Sequence, residues 1–176
     1  FQRWFARNAP QAAAPAKGLR VVFMGDSITD GNWGKADGKP SSERNLWDRN
    51  HLYGSGYMYL CATYYQSSFP DRDYRFFNRG VGGHALSDLA ARWQEDVLDL
   101  RPDVLSVFIG TNDVERHLRK LLRADDPQAV PDFDFAAWEK TYRSLLDKAR
   151  EANPALKIVL CTPFDDLSAG CGEGCA

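Results

Sequence analysis

The stretch Leu19-Arg20-Val21-Val22-Phe23-Met24-Gly25-Asp26-Ser27-Ile28-Thr29-Asp30-Gly31 decides how the chain is read. Its first six residues form a nearly continuous apolar run, the pattern of a strand covered on both faces, as strands of parallel sheets are. A Gly-Asp-Ser turn and a polar loop follow. A serine at such a strand-to-loop turn holds its Oγ above the sheet edge, and a helix starting there aims backbone N–H groups at developing negative charge. Ser27 is therefore a candidate nucleophile, although Gly, Asp and Ser are also ordinary turn residues.

Apolar periodicity on either side predicts the order strand, helix, strand, helix, strand, helix, strand. The expected strands are 19–24, 74–78, 103–109 and 156–161. One helix is expected over 56–69, ended by Pro70. A second starts from an N-cap at Ser87 and runs through Leu100, with Leu89, Trp93, Val97 and Leu100 along one face and Pro102 as its stop. A third covers 135–151, with Trp138, Tyr142, Leu145 and Ala149 on one stripe. Such alternation predicts a parallel sheet with helices on both faces, and ligands then sit at the carboxyl ends of the strands.

Two further polar blocks fall at those ends. Asn78-Arg79-Gly80-Val81-Gly82-Gly83-His84 closes the second strand, and its glycines permit positive φ and close approach, so that a backbone N–H there can donate to an oxyanion. Gly110-Thr111-Asn112-Asp113 closes the third. The Asn112 amide is a neutral donor that neither titrates nor attacks.

The three blocks, in this order and each at a strand end, resemble those of the GDSL/SGNH hydrolase family, from about Leu19 to Pro163. The resemblance implies an α/β fold: three α/β/α layers around a mainly parallel, flavodoxin-like sheet. It also implies a serine esterase that needs no metal or organic cofactor. Ser27 would be the nucleophile, and Ser27 N–H, Gly83 N–H and the Asn112 side chain would form the oxyanion hole. Asp26 would anchor the turn rather than act as acid or base.

The family's general base is a histidine in an Asp-x-x-His block near the C-terminus, beyond a further strand, and no histidine follows His117 here. Asp48-Arg49-Asn50-His51 matches that block literally but lies between the first and second motifs, where a surface or helix-start role is expected. His84 adjoins the oxyanion glycine and can face the substrate or away from it. His117 stands one helical turn past Asn112 and is expected to be solvated. None of the three is assigned as the base, and the catalytic Asp and His are not found. The sheet is expected to lack its last strand and helix, and without a base the chain as it stands should be nearly inactive. Truncation is favoured over degeneration, in which the ending 168–176 would have replaced the catalytic block.

With 176 residues, 44% of them hydrophobic, one domain is expected. It is placed at 19–164, between a tether over 1–18 and a Gly/Cys-containing tail over 165–176. A net charge of -2 provides no large field to attract nucleic acid or an anionic membrane, so a small neutral or weakly polar substrate is the expected partner. No apolar run approaches the roughly 20 residues of a membrane span. The chain opens on Phe1 rather than Met, and its Ala/Pro/Gln-rich tether leans toward a secreted or periplasmic protein. Cys61 and Cys161 are expected in the core. Cys171 and Cys175 belong to a tail read as unstructured rather than as a disulfide loop or metal ligands.

The polar, aromatic-rich first loop leans the substrate toward a short acyl ester, such as acetyl on a carbohydrate. Two rivals remain. Gly80-x-Gly82-x-x-Ala85 follows a strand as in dinucleotide-binding turns, but it follows the second strand, and the next strand ends in no acidic residue apart from Asp113. A non-catalytic carbohydrate-binding domain would use Trp33, Trp47, Tyr53 and Tyr57 to stack on sugars, where the plainer reading has them cover the crevice wall.

Overall fold

The computed structural model describes residues 18–31 and 53–163. Residues 1–17 of the tether, the segment with Trp33, Trp47 and His51, and the tail with Cys171 and Cys175 lie outside the described residues. In chain order the elements are β1 (Arg20–Gly25), α1 (Ser27–Asp30), α2 (Tyr57–Ser68), β2 (Arg75–Gly80), α3 (Leu86–Ala91), β3 (Val104–Phe108), α4 (Thr111–Arg123), α5 (Phe135–Ala152) and β4 (Lys157–Cys161). A π-turn, Gln94–Leu98, continues α3.

All four strands are parallel, in the order β2-β1-β3-β4. Because β2 and β3 lie on opposite sides of β1, the winding reverses at β1 and opens a crevice at its carboxyl end. Register sets what lines that crevice: Gly25 pairs with Gly80 on one side and with Phe108 on the other. The residues that follow these three positions therefore rise together from one sheet edge.

Successive strand residues point to opposite faces. Val22 and Met24, with Leu105 and Val107, face Leu89, Trp93 and Val97 and the α5 residues Leu145, Leu146 and Ala149. Phe23 and Phe76, from the other side, meet Met58 and Ala62 of α2. Helices thus cover both faces, as the alternating sequence predicts, and both expected helical stripes are found packed on the sheet.

Three expectations are corrected. The helix after β2 is capped at Ala85, not Ser87, because two carboxylates satisfy its first N–H groups: Asp88, from the helix's own first turn, accepts from Ala85 N–H at 2.8 Å, and Asp113, from α4, accepts from Leu86 N–H at 3.1 Å. That helix also leaves regular geometry at Arg92, while Trp93 and Val97 stay buried. Burying such side chains contributes roughly 1.5–3 kcal/mol each, enough to hold a widened turn in place. Cys61 and Cys161 are half-buried free thiols rather than core residues. The 13-residue α4, which begins inside the third motif, was not predicted, and none of its residues is buried.

Among the described residues no helix is long and apolar enough to cross a membrane. There, too, β4 pairs only with β3, and Val159 and Leu160 are half exposed.

Candidate active site

The turn after β1 is tied from within. Asp26 is fully buried, and its Oδ1 accepts the Ile28 N–H at 3.0 Å, capping α1. Burial pushes the Asp26 carboxyl above the usual range, against the pull of that N–H, and the neighbouring Asp113 charge pushes it further. Burial likewise raises Asp113, opposed by the Leu86 N–H. Asp26 thus acts as the anchor expected of it, and Ser27 stands exposed at the helix N-terminus.

From the neighbouring strand Asn78, itself fully buried, latches α1 in place. Its Nδ2 donates to the carbonyls of Thr29 (3.2 Å), Asp30 (3.1 Å) and Tyr53 (3.1 Å), and its Oδ1 accepts the Gly80 N–H at 2.9 Å. Two residues on, a Cβ at Gly80 would collide with the Asp30 N and lie 2.6 Å from the Asp30 Cα, so only glycine lets α1 lie against β2. The first glycine of the run that resembles a dinucleotide turn is thus required for packing the serine turn, and the Gly82 N–H is bonded to Asp30 Oδ2.

Beyond Gly80 the backbone N–H groups can be followed one by one. Val81 donates to the Gly25 carbonyl at 3.1 Å, Gly82 to Asp30 Oδ2 at 3.1 Å, and His84 to the Val81 carbonyl at 3.2 Å. Ala85 and Leu86 donate to Asp88 and Asp113 as above. Over 80–86 only Gly83 N–H has no acceptor among the described residues. Gly83 holds φ at 78°, a left-handed value that suits glycine. Arg116 fixes its carbonyl at 2.7 Å. The loop runs beside Ser27: a Cβ on Gly82 would lie 3.8 Å from the Ser27 Cβ.

Asn112 enters from the first turn of α4, behind Gly110, whose φ of 128° turns the chain out of β3. One N–H of its Nδ2 donates to the His84 carbonyl at 2.9 Å. An amide carries two hydrogens, so that bond orients the second. Ser27, Gly83 and Asn112 are thereby gathered around one loop, with the Ser27 N–H, like that of Gly83, unaccepted among the described residues.

The histidines are placed differently. His84 Nδ1 accepts the Arg92 Nε–H at 3.2 Å, which commits that nitrogen to Arg92. His117 is half-buried against the Phe133 ring, centroids 5.7 Å apart, rather than solvated. His51 lies outside the described residues. Tyr57 bonds Thr29 through its hydroxyl at 3.1 Å and packs on Phe23 and Phe108, and Tyr53 packs on Phe76. Both rings are partly buried against the second core cluster.

Sequence reasoning missed the Asn78 latch and the cluster of buried Arg79 and Asp96 with partly buried Arg92. Asn78 carried a readable signal, a polar side chain in a strand whose neighbours are buried. Arg92 carried none, since it falls between the apolar positions of an amphipathic helix.

The model of the GDSL-like lipase/acylhydrolase family matches residues 23–173. The chain belongs to that family. It is 34% identical over 148 residues to an acetylxylan esterase of Geobacillus stearothermophilus, covering 84% of this chain and 60% of that one. A crystal structure of that esterase superposes with a TM-score of 0.65 at 33% identity, over 86% of this chain and 63% of the other. A protein of Parabacteroides merdae described as a GDSL-like lipase gives a TM-score of 0.65 at 30% identity, over 86% and 62%. The chain therefore spans about three fifths of the length of these relatives. Catalytic mutants of the Geobacillus esterase have been solved with a serine, an aspartate or a histidine replaced.

Proposed function

We propose that this site hydrolyses short-chain esters through an acyl-serine at Ser27, with acetyl groups on a carbohydrate as the favoured substrate. The observation that carries the reading is the run 80–86, where every backbone N–H except that of Gly83 has an acceptor among the described residues, beside an exposed serine. Donors without internal partners, fixed at a strand end, suit an anion that forms only during reaction.

Ser27 Oγ attacks the ester carbonyl carbon as a base takes its proton. The Ser27 N–H, Gly83 N–H and Asn112 Nδ2–H receive the oxyanion, the alcohol leaves with a proton, and water then releases the acid from Ser27. A carbohydrate substrate is supported by likeness to an acetylxylan esterase. The base in this reading is the histidine of the family's Asp-x-x-His block, so the protein as its gene encodes it is the form to assay.

The test uses p-nitrophenyl acetate, longer p-nitrophenyl esters and acetylated xylan, together with fluorophosphonate labelling. Acetyl turnover above that of long esters, lost with Ser27→Ala, supports the reading. Binding of xylan with neither turnover nor labelling would favour the non-catalytic alternative.

A further inference from the structure

Arg92 ends α3 with φ -113° and ψ 12°, off helical values, just before the π-turn. Helical irregularities of this kind recur at functional sites. From there its guanidinium reaches beneath the serine turn and the Gly83 loop. Nε donates to His84 Nδ1 at 3.2 Å, Nη2 to the Gly25 carbonyl at 3.1 Å, and Nη1 to the Arg79 carbonyl at 2.7 Å and to Asp96 Oδ2 at 2.6 Å. Asp96, with a side chain 1% exposed, also pairs with Arg79 at 3.2 Å. One carboxylate thus faces two guanidinium groups, and the backbone carbonyls of Gly25 and Arg79 accept what it cannot.

Those acceptors are not arbitrary packing neighbours. Gly25 precedes the Ser27 turn by two residues, Arg79 precedes the glycine loop, and His84 follows Gly83 directly. A guanidinium is a rigid planar fork, so acceptors bound to it are held at fixed mutual distances, which a single ammonium cannot do. We propose that Arg92 is a positioning residue of the oxyanion hole, setting the separation between the Ser27 turn and the Gly83 loop. The proposal rests on the reading of Ser27, Gly83 and Asn112 given above.

The test compares Arg92→Lys and Arg92→Met with the parent in the gene-encoded protein. It measures kcat and KM for p-nitrophenyl acetate, inhibition by phenylboronic acid and thermal midpoint. The boronic acid bonds to the serine Oγ and places an oxygen where the oxyanion would sit. A misplacement near 1 Å costs about 100-fold in rate, so kcat should fall roughly 30- to 100-fold in both variants, with KM within about threefold. Boronate affinity should fall by the same factor. Arg92→Lys keeps a charge for Asp96, so its fold should survive while its hole does not.

Retention of kcat within about threefold in a folded variant overturns the proposal, as does a kcat loss that leaves boronate affinity unchanged. If Arg92→Met does not fold, His84→Leu carries the test. It leaves the Arg92–Asp96–Arg79 ion pairs in place and removes the Arg92 Nε–H bond to the loop. About a tenfold loss of kcat, shared by the boronate, is expected, and none overturns the claim. Continued hydrolysis by Ser27→Ala would instead refute the reading of the site itself, which separates the two failures.

Discussion

Replacing Asn78 by alanine should cost the fold more than replacing any other side-chain amide among the described residues. The side chain is fully buried and makes four hydrogen bonds, of which those to the Thr29 carbonyl and from the Gly80 N–H lie wholly inside. A buried polar group left without its partner costs about 1–3 kcal/mol. The Asp30 and Tyr53 carbonyls are only partly buried, so water replaces their lost partner at a smaller cost. Together these losses come to about 3–5 kcal/mol, against a typical total stability of 5–15 kcal/mol. Asn78→Asp should cost at least as much, because it keeps the acceptor for Gly80 but turns a carboxylate toward three carbonyl oxygens. Urea unfolding followed by circular dichroism measures the change, read from the midpoint at constant slope. A loss below about 1 kcal/mol would show that α1 is held by packing alone, and the latch argument would fail.

Ser27→Ala should abolish hydrolysis and labelling with no shift in thermal midpoint, because the exposed Oγ has no partner among the described residues; a large loss of stability would mean that the hydroxyl is structural. Asn112→Ala should lower kcat by about 100- to 1,000-fold with little change in KM, measured by steady-state kinetics, since its spare N–H acts only on the oxyanion. An effect confined to KM would make Asn112 a ground-state contact. Asp26 governs a pH dependence. Its folded carboxyl lies above the ordinary 3.8, chiefly through burial, so its contribution to stability is full below that pH and is lost as pH rises through the folded value. Asp26→Asn removes that decline, and denaturant midpoints from about pH 4 to pH 7 should move in the variant's favour. Parallel curves would contradict the assignment.

The fold was legible because each strand and the two principal sheet-covering helices carry their own apolar pattern. The 19–24 run became β1 with one residue's displacement, and the Trp138, Tyr142, Leu145, Ala149 stripe packs where its spacing put it. α4 carries helical spacing of its own in Val114, Leu118, Leu121 and Leu122, a signal overridden by reading the third motif as a turn, although none of its residues is buried. The cap of α3 escaped because its acceptors include Asp113, 27 residues away from Leu86. Local chemistry at Ser87 cannot report a carboxylate delivered by another strand end.

The same division runs through the site. Ser27, Gly83 and Asn112 were readable because each lies in a short motif at the end of a predicted strand. The groups that hold them were not, since their partners are distant in sequence: Asn78 bonds residues 48 and 49 positions earlier, and Arg92 bonds Gly25 across 67. Such contacts exist only once the parallel register has aligned Gly25 with Gly80 and Phe108. Register also explains why the donors need so little chemistry of their own. With three strand ends level and the other N–H groups of the Gly83 loop paired, the proposed oxyanion donors are the two backbone N–H groups of Ser27 and Gly83, without acceptors among the described residues, and one oriented amide at Asn112.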